Sequence, residues 1–242
     1  MSVIDKFRLD GQVAIITGAG KGIGAGIARA FAEAGANVAI GARTVADLEK
    51  VAADVRSLGR EALVVPTDVL DSGQLEHLAN RALEHFGRID ILVNNAGGFP
   101  PKPVANTSAR EFEAAFRFNV TTAYELSRLC APLMVDTAGS GTILNISSIA
   151  GHKPAPCFAA YGTAKGALSL LTRELAQEVA PRVRVSAIAV GSTRTVALNT
   201  VLTEDIERTM VELTPMGRLG EVEDIALGAL YLCSPAASYV TG

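Results

Sequence analysis

Six short runs of aliphatic and β-branched residues punctuate the chain: Val13–Thr17, Val38–Ala42, Ala62–Pro66, Ile89–Asn94, Thr142–Ser147 and Val183–Val190. None alternates cleanly between apolar and polar positions, as expected of parallel strands covered by helices on both faces. Longer stretches with helical periodicity lie between them. Gly35, Gly59 and Gly87 each follow such a stretch and precede a strand by a few residues, where a helix needs a left-handed residue to stop. Thr44-x-x-Asp47 and Ser108-x-x-Glu111 have capping-box spacing, in which a backbone N–H occupies the third-position carboxylate, so Asp47 is not expected to contact a ligand. No repeat, linker or low-complexity segment interrupts the pattern. It predicts one α/β domain over residues 1–242 with a doubly wound parallel sheet of six to seven strands. Ligands in such a sheet bind at the carboxyl ends of the strands.

Composition narrows the function. The 242 residues suit one large domain, and 49% apolar residues supply a core, which excludes a disordered chain. Twenty-two basic against 25 acidic residues leave a net charge of −3 with no basic cluster, which argues against nucleic acid. A long uncharged stretch, Thr137 to His152, holds three glycines, three serines and Asn145, which would be unpaired in hydrocarbon, so no membrane span is expected. Asp5, Lys6, Arg8 and Asp10 stand where a signal peptide needs an apolar run, and the expected location is cytoplasmic. Cys130, Cys157 and Cys233 are widely spaced and odd in number, which indicates neither a disulfide framework nor a metal site. His77 and His85, beside Glu76 and Glu84, read as a solvated helix face.

Chemistry first shows in Thr17-Gly18-Ala19-Gly20-Lys21-Gly22-Ile23-Gly24, between the first strand and a helical pattern. Glycines there permit positive φ and close approach of the backbone to a pyrophosphate, while the helix N-terminus offers unpaired N–H groups. The spacing is one residue longer than the commonest Rossmann fingerprint, but its strand-turn-helix context indicates a dinucleotide site at Gly18, Lys21, Gly22, Ile23 and Gly24. An NAD site usually ends the second strand with an acidic residue for the adenosine ribose. Here the chain reads Gly41-Ala42-Arg43. A guanidinium would hold a 2′-phosphate through paired hydrogen bonds, with Lys21 approaching from the other side, so NADP(H) is the expected cofactor and NAD(H) the second choice. The competing reading makes Arg43 and Lys21 ordinary surface cations.

Tyr161 and Lys165 are four residues apart at the start of a helical pattern and share one face. A phenol titrating near ~10 needs a shift of roughly 3 units to exchange protons near neutral pH, about 4 kcal/mol. An ammonium at ~5 Å in an effective dielectric of ~20 supplies on the order of 3 kcal/mol.

Together, Thr17-Gly18-x-x-x-Gly22-x-Gly24, Asn94-Asn95-Ala96-Gly97, Ser148 thirteen residues before Tyr161, and Tyr161-x-x-x-Lys165 resemble the short-chain dehydrogenase/reductase family, from Leu9 to Gly242. The resemblance implies a Rossmann fold and interconversion of ketones and secondary alcohols. Tyr161 would be the general acid and base, Lys165 would lower its pKa and bind the nicotinamide ribose, Ser148 would hold the substrate oxygen, and Asn119 would position a water connecting Lys165 to solvent. A polar residue satisfied within its own helix is the competing reading of Asn119. Asp68 and Val69 would meet the adenine, Asn95, Ala96 and Gly97 would let the cofactor pass close to the backbone, and Thr195 would approach the carboxamide and pyrophosphate. A homo-oligomer, tetramer or dimer, is implied. Val190 stands where the family usually has proline and Ser186 where it often has asparagine, which leaves the shape of the loop before Thr195 open. Relatives continue past Gly242 into a last strand and a glycine-rich tail, so the sheet edge and the contact made by that tail are expected to be incomplete.

Three largely apolar segments are expected on the substrate side: Gly98–Pro101, His152–Phe158 and a lid at Val196–Leu202. Phe99, Pro100, Cys157, Phe158, Leu198 and Leu202 would favour a hydrophobic or cyclic carbonyl. Asn94-Asn95-Ala96-Gly97-Gly98 followed by Pro101-Lys102-Pro103, with Cys233-Ser234-Pro235-Ala236-Ala237-Ser238, is similar to the 7α-hydroxysteroid dehydrogenases and implies a steroid-like substrate. His152 is expected at the cleft rim. Two other functions compete. Reduction of a 3-oxoacyl group on an acidic carrier protein would need a basic entrance, for which Lys102, Arg194 and Arg218 are the candidates. A non-catalytic NADPH-binding regulator could dispense with Ser148, Tyr161 and Lys165, all of which are present.

Overall fold

A computed structural model describes residues 2–200 and 202–242, with the side chain of residue 197 outside that description. Strands β1 (Val13–Thr17), β2 (Asn37–Ala42), β3 (Ala62–Pro66), β4 (Ile91–Asn94), β5 (Gly141–Ser148) and β6 (Val183–Val190) form one parallel sheet in the order β3-β2-β1-β4-β5-β6. Six strands are present among the described residues. Their positions follow the hydrophobic runs, except that β4 begins two residues late, where the Asp90 carboxylate accepts the Val13 N–H at 2.9 Å. The order reverses between β1 and β4, and the crevice over that reversal is where such a sheet binds ligands.

Successive strand residues face opposite helical layers. Ile16 packs with helices α1 (Gly22–Glu33), α2 (Val45–Ser57) and α9 (Val222–Cys233) through Phe31, Leu48 and Ala229. Its neighbour Ile15 packs with α3 (Ser72–Phe86), α5 (Thr122–Ala138) and α6 (Ala159–Val179) through Leu78, Cys130 and Ala176. Both strand residues are fully buried, which explains the absence of alternation in β1. The remaining helices are α4 (Ala109–Phe116), α7 (Val196–Asn199) and α8 (Glu204–Glu212). A π-helical turn, Arg117–Thr121, joins α4 to α5.

The predicted glycine stops are met: Gly35, Gly59 and Gly87 have φ of 109°, 74° and 73°. The capping boxes divide. Ser108 caps α4 reciprocally with Glu111, whereas Thr44 makes no side-chain cap on α2 and Asp47 turns away from it. At the far edge, β6 meets Thr241 and Gly242: the Val185 N–H donates to Thr241 Oγ1 at 3.0 Å and the Gly242 N–H to Val185 O at 2.8 Å. Among the described residues no helix is long and apolar enough to cross a membrane.

Candidate active site

The carboxyl ends of the strands enclose a cleft of about 750 Å³, within the range of ligand sites. The glycine turn forms one wall. The Asn95 side chain donates to Thr17 O at 2.8 Å and Gly18 O at 3.2 Å, and Thr17 Oγ1 accepts the N–H groups of Asn95 and Ala96 at 3.1 and 3.0 Å. Asn95 therefore braces the turn rather than simply leaving room along its own backbone. A Cβ on Gly24 would lie 2.5 Å from Asn95 Nδ2, so that glycine serves the brace. Gly22 has φ +55° and leads into α1, whose first N–H groups receive no side-chain cap from Lys21 and face the cleft. These donors suit the pyrophosphate of a dinucleotide.

Arg43, at the end of β2, lines the same cleft, is exposed, and makes no ion pair among the described residues. Lys21 departs from expectation. Its Nζ lies 2.9 Å from Asp47 Oδ2, on the carboxylate that the sequence assigned to capping. Asp68 and Val69 line the cleft after β3; Asp68 Oδ1 accepts the Leu70 N–H at 3.0 Å, holding that loop closed on itself. Thr195 also lines it, but its hydroxyl caps α7 by accepting the Leu198 N–H at 3.2 Å.

The opposite wall combines the end of β5 with α6. Ser148 is the last residue of β5; its hydroxyl accepts the Ala150 N–H at 3.2 Å and lies near enough to the Tyr161 hydroxyl to lower its proton affinity. Ser147, one residue earlier, turns the other way and donates to Lys165 O at 3.1 Å. Lys165 is almost wholly buried, its Nζ donates to Ile146 O at 2.8 Å and lies 5.8 Å from the centre of the Tyr161 ring. The turn Ile149–Gly151 seats on α6 through glycines: Gly151 packs on the backbone of Lys165 and Gly166, and Gly162 on Ala150 O.

Burial controls the proton affinities. It pushes the Lys165 ammonium down to about 8 and holds the Tyr161 phenol above its ordinary value, with the Ser148 hydroxyl acting in the opposite sense. Burial thus acts on the phenol in the direction opposite to the acidification expected from Lys165.

Asn119 sits in the π-helical turn, fully buried. It accepts the Gly98 N–H at 2.9 Å and donates to Gly98 O at 3.1 Å and Ala115 O at 2.8 Å. One of these contacts is local to its own helix and two reach the loop at Gly98. A Cβ on Gly97 would lie 2.7 Å from Asn119 Oδ1 and 3.0 Å from Lys165 Nζ, so glycine keeps a polar gap open between them.

The substrate side differs from expectation. Val196 and Thr200 of the lid segment reach the cleft, while Phe99, Pro100, Cys157, Phe158, Leu198 and Leu202 do not line it, and Val201 lies outside the described residues. The Lys102 N–H instead donates to Cys157 O at 2.8 Å, drawing two of these segments onto each other, and Phe158 leans on the Tyr161 ring at 6.1 Å. His152 points back to Ser169, with Nε2 3.2 Å from its hydroxyl. Sequence reasoning missed Asn145: its Oδ1 accepts from Asn94 Nδ2 at 2.9 Å and its Nδ2 donates to Thr172 Oγ1 at 2.9 Å, tying β4 and β5 to α6. A buried amide in a mid-sheet run was the available signal.

Residues 18–242 match the family described as enoyl-(acyl carrier protein) reductase. An uncharacterised oxidoreductase of Mycobacterium tuberculosis is 48% identical over 99% of this chain and 92% of its own length. The 7α-hydroxysteroid dehydrogenase of Escherichia coli K12 is 43% identical over 98% and 93%. The chain belongs to the short-chain dehydrogenase/reductase family. A solved structure of a 7α-hydroxysteroid dehydrogenase complexed with NADH and 7-oxo glycochenodeoxycholic acid superposes with a TM-score of 0.96 at 42% identity, covering 100% of this chain and 94% of the other. This short-chain dehydrogenase/reductase is accordingly an oxidoreductase of CH–OH groups that uses a nicotinamide nucleotide and is related to hydroxysteroid dehydrogenases. Its departure at Ser186 has a visible consequence: the hydroxyl is buried with no hydrogen-bond partner among the described residues.

Proposed function

We propose that this protein is an NADP(H)-dependent dehydrogenase/reductase that interconverts a ketone and a secondary alcohol on a hydrophobic, cyclic, steroid-like substrate. The observation that carries the chemistry is the meeting of Ser148, Tyr161 and Lys165 on one wall of the cleft facing the glycine turn. When bound, the nicotinamide supplies and accepts hydride. Tyr161 gives a proton to the carbonyl oxygen or takes one from the hydroxyl. Ser148 holds that oxygen beside the phenol. Lys165 holds the nicotinamide ribose and, as a cation beside the ring, favours the phenolate. Asn119 shares the Gly97 gap with Lys165 and places the water through which the proton reaches solvent. Gly18, Gly22, Ile23, Gly24, Asn95, Ala96, Gly97, Asp68, Val69 and Thr195 shape the nucleotide path.

NADP(H) is favoured by Arg43, a cation at the position where an NAD site keeps a carboxylate. The steroid class rests on the hydroxysteroid dehydrogenases among the relatives. The acyl-carrier alternative loses its basic entrance, because Lys102 pairs with Glu111 at 2.6 Å, Arg194 with Glu207 at 2.5 Å and Arg218 with Asp224 at 2.7 Å. We take residues 1–242 as one domain; three free cysteines support a cytoplasmic setting, and exposed Leu227 and Tyr231 on α9 support a homo-oligomer, dimer or tetramer.

The test is a panel of 7α-hydroxy and 7-oxo steroids, simple cyclic ketones and a 3-oxoacyl thioester, followed by absorbance of the reduced nicotinamide with both cofactors. Turnover of steroids, lost in Tyr161→Phe with cofactor binding retained, is expected. Arg43→Ala should lower the NADPH-to-NADH ratio of kcat/KM at least tenfold. An unchanged ratio refutes the NADP reading, and turnover confined to the thioester refutes the substrate class.

A further inference from the structure

The cation predicted to greet a 2′-phosphate is already partnered. Lys21 Nζ lies 2.9 Å from Asp47 Oδ2, and that carboxylate is mostly buried while the lysine stem is exposed. The glycine turn sits close on the backbone and Cβ of Asp47. A Cβ on Gly20 would lie 3.1 Å from Asp47 Cβ, so the glycine turn is seated on the stem of the acid, and the Asp47 N–H donates to Thr44 O at 3.2 Å. Thr44 leaves the side chain unclaimed by a cap, which turns the carboxylate toward the neighbouring βα turn. The charges at this end of the cleft are then Lys21, Arg43 and Asp68 on its lining, with the Asp47 carboxylate paired to Lys21 behind them.

From this geometry we infer that Asp47 is a specificity-determining residue that weakens NADP(H) relative to NAD(H) by holding Lys21 and by opposing the 2′-phosphate. The inference rests on the NADP reading above and extends it to a residue that reasoning from the sequence had set aside. A phosphate carrying roughly −1.5 to −2 charges must share Lys21 with Asp47, at the cost of an unfavourable carboxylate-phosphate interaction. A ribose hydroxyl brings no such charge. Arg43 remains the primary anion partner, and Asp47 limits how far the site discriminates. An acid in this position therefore keeps NAD(H) usable in a site that has no acidic residue at the end of β2.

Calorimetric titration of the full chain with NADPH and NADH tests the inference without turnover. Asp47→Asn, which keeps the shape of the side chain, should tighten NADPH about fivefold to tenfold and leave NADH within twofold, with the difference shrinking at high salt. The same substitution in a Lys21→Ala background should have less than half that effect, because the lysine it would release is gone. A melting temperature near the parent value establishes that both variants fold. An unchanged or weakened NADPH affinity in Asp47→Asn overturns the inference, as does a full effect without Lys21. Arg43→Ala separates the two claims: a lowered NADPH-to-NADH affinity ratio there, with Asp47→Asn silent, refutes the role of Asp47 alone, whereas a silent Arg43→Ala refutes the NADP reading on which it stands.

Discussion

Replacing Gly151 by alanine tests whether the glycine joint between the Ser148 turn and α6 sets the geometry of the reaction. The added Cβ would lie 2.6 Å from Gly166 N, 2.6 Å from Lys165 C and 3.0 Å from Gly166 Cα, all backbone atoms that cannot rotate aside. Reaching 3.4 Å, the onset of ordinary contact, opens the joint by roughly 0.8 Å. Ser148 lies on one side of that opening and Tyr161 and Lys165 on the other. Overpacking costs about 1–3 kcal/mol of stability, and a misplacement near 1 Å costs about 100-fold in rate. Gly166→Ala is the internal control: its Cβ would meet Gly151 O at 3.2 Å, with Gly151 Cα and C at 3.9 and 4.0 Å, and alanine in a helix gains up to about 1 kcal/mol over glycine. Steady-state kinetics on the substrate that the parent turns over, urea denaturation and calorimetric binding of the nicotinamide nucleotide read the outcome. Gly151→Ala should lose about 100-fold in kcat with cofactor affinity within threefold, and Gly166→Ala should keep kcat within threefold at equal or higher stability. Parental kcat in a folded Gly151→Ala protein, or equal damage from both substitutions, would refute the reasoning.

Lys165 is held at about 8 against an ordinary value of 10.5, so the unfolded chain binds more protons between those values and the contribution of this group to stability rises with pH across that window. Below about pH 8 the buried ammonium is a constant penalty of about 3 kcal/mol, its bond to Ile146 O included, and leaving that acceptor unpaired on substitution costs about 1–2 kcal/mol. Lys165→Met should thus abolish turnover while stabilising the protein at pH 7 by about 1–2 kcal/mol, a gain that fades toward pH 10.5; a lower melting temperature at pH 7 contradicts this. Ser186→Ala removes a buried hydroxyl that has no partner and should stabilise by about 1 kcal/mol in urea denaturation, with kinetics unchanged; destabilisation would mean that the hydroxyl is satisfied. Asn145→Leu strands the Asn94 and Thr172 groups it joins and should cost about 2–4 kcal/mol, whereas a loss below 0.5 kcal/mol, a magnitude typical of surface changes, would show that the network contributes nothing.

What the sequence determined by itself is what neighbours along the chain decide. Uniformly apolar runs located the strands, because both sheet faces are covered, and glycines located the ends of α1, α2 and α3, because only they accept positive φ cheaply. The four-residue spacing put Tyr161 and Lys165 on one helical face, and the glycine turn pointed to the cleft that its residues line. Tertiary structure decided which partner each polar group would take. Asp47 had the local spacing of a cap, but the close seating of Gly20 brought Lys21 within 2.9 Å, and an ion pair prevailed over a backbone N–H. Lys165 and Tyr161 were adjacent from the start, yet their proton affinities follow from how much water the β5–α6 packing excludes. Asn119 lies on a π-helical turn that no periodicity announces, and only there does its amide reach both backbone groups of Gly98. Periodicity reports which face of an element is buried, whereas desolvation and the choice of partner are properties of the space between elements, which come into being only when the sheet and its helices close on each other.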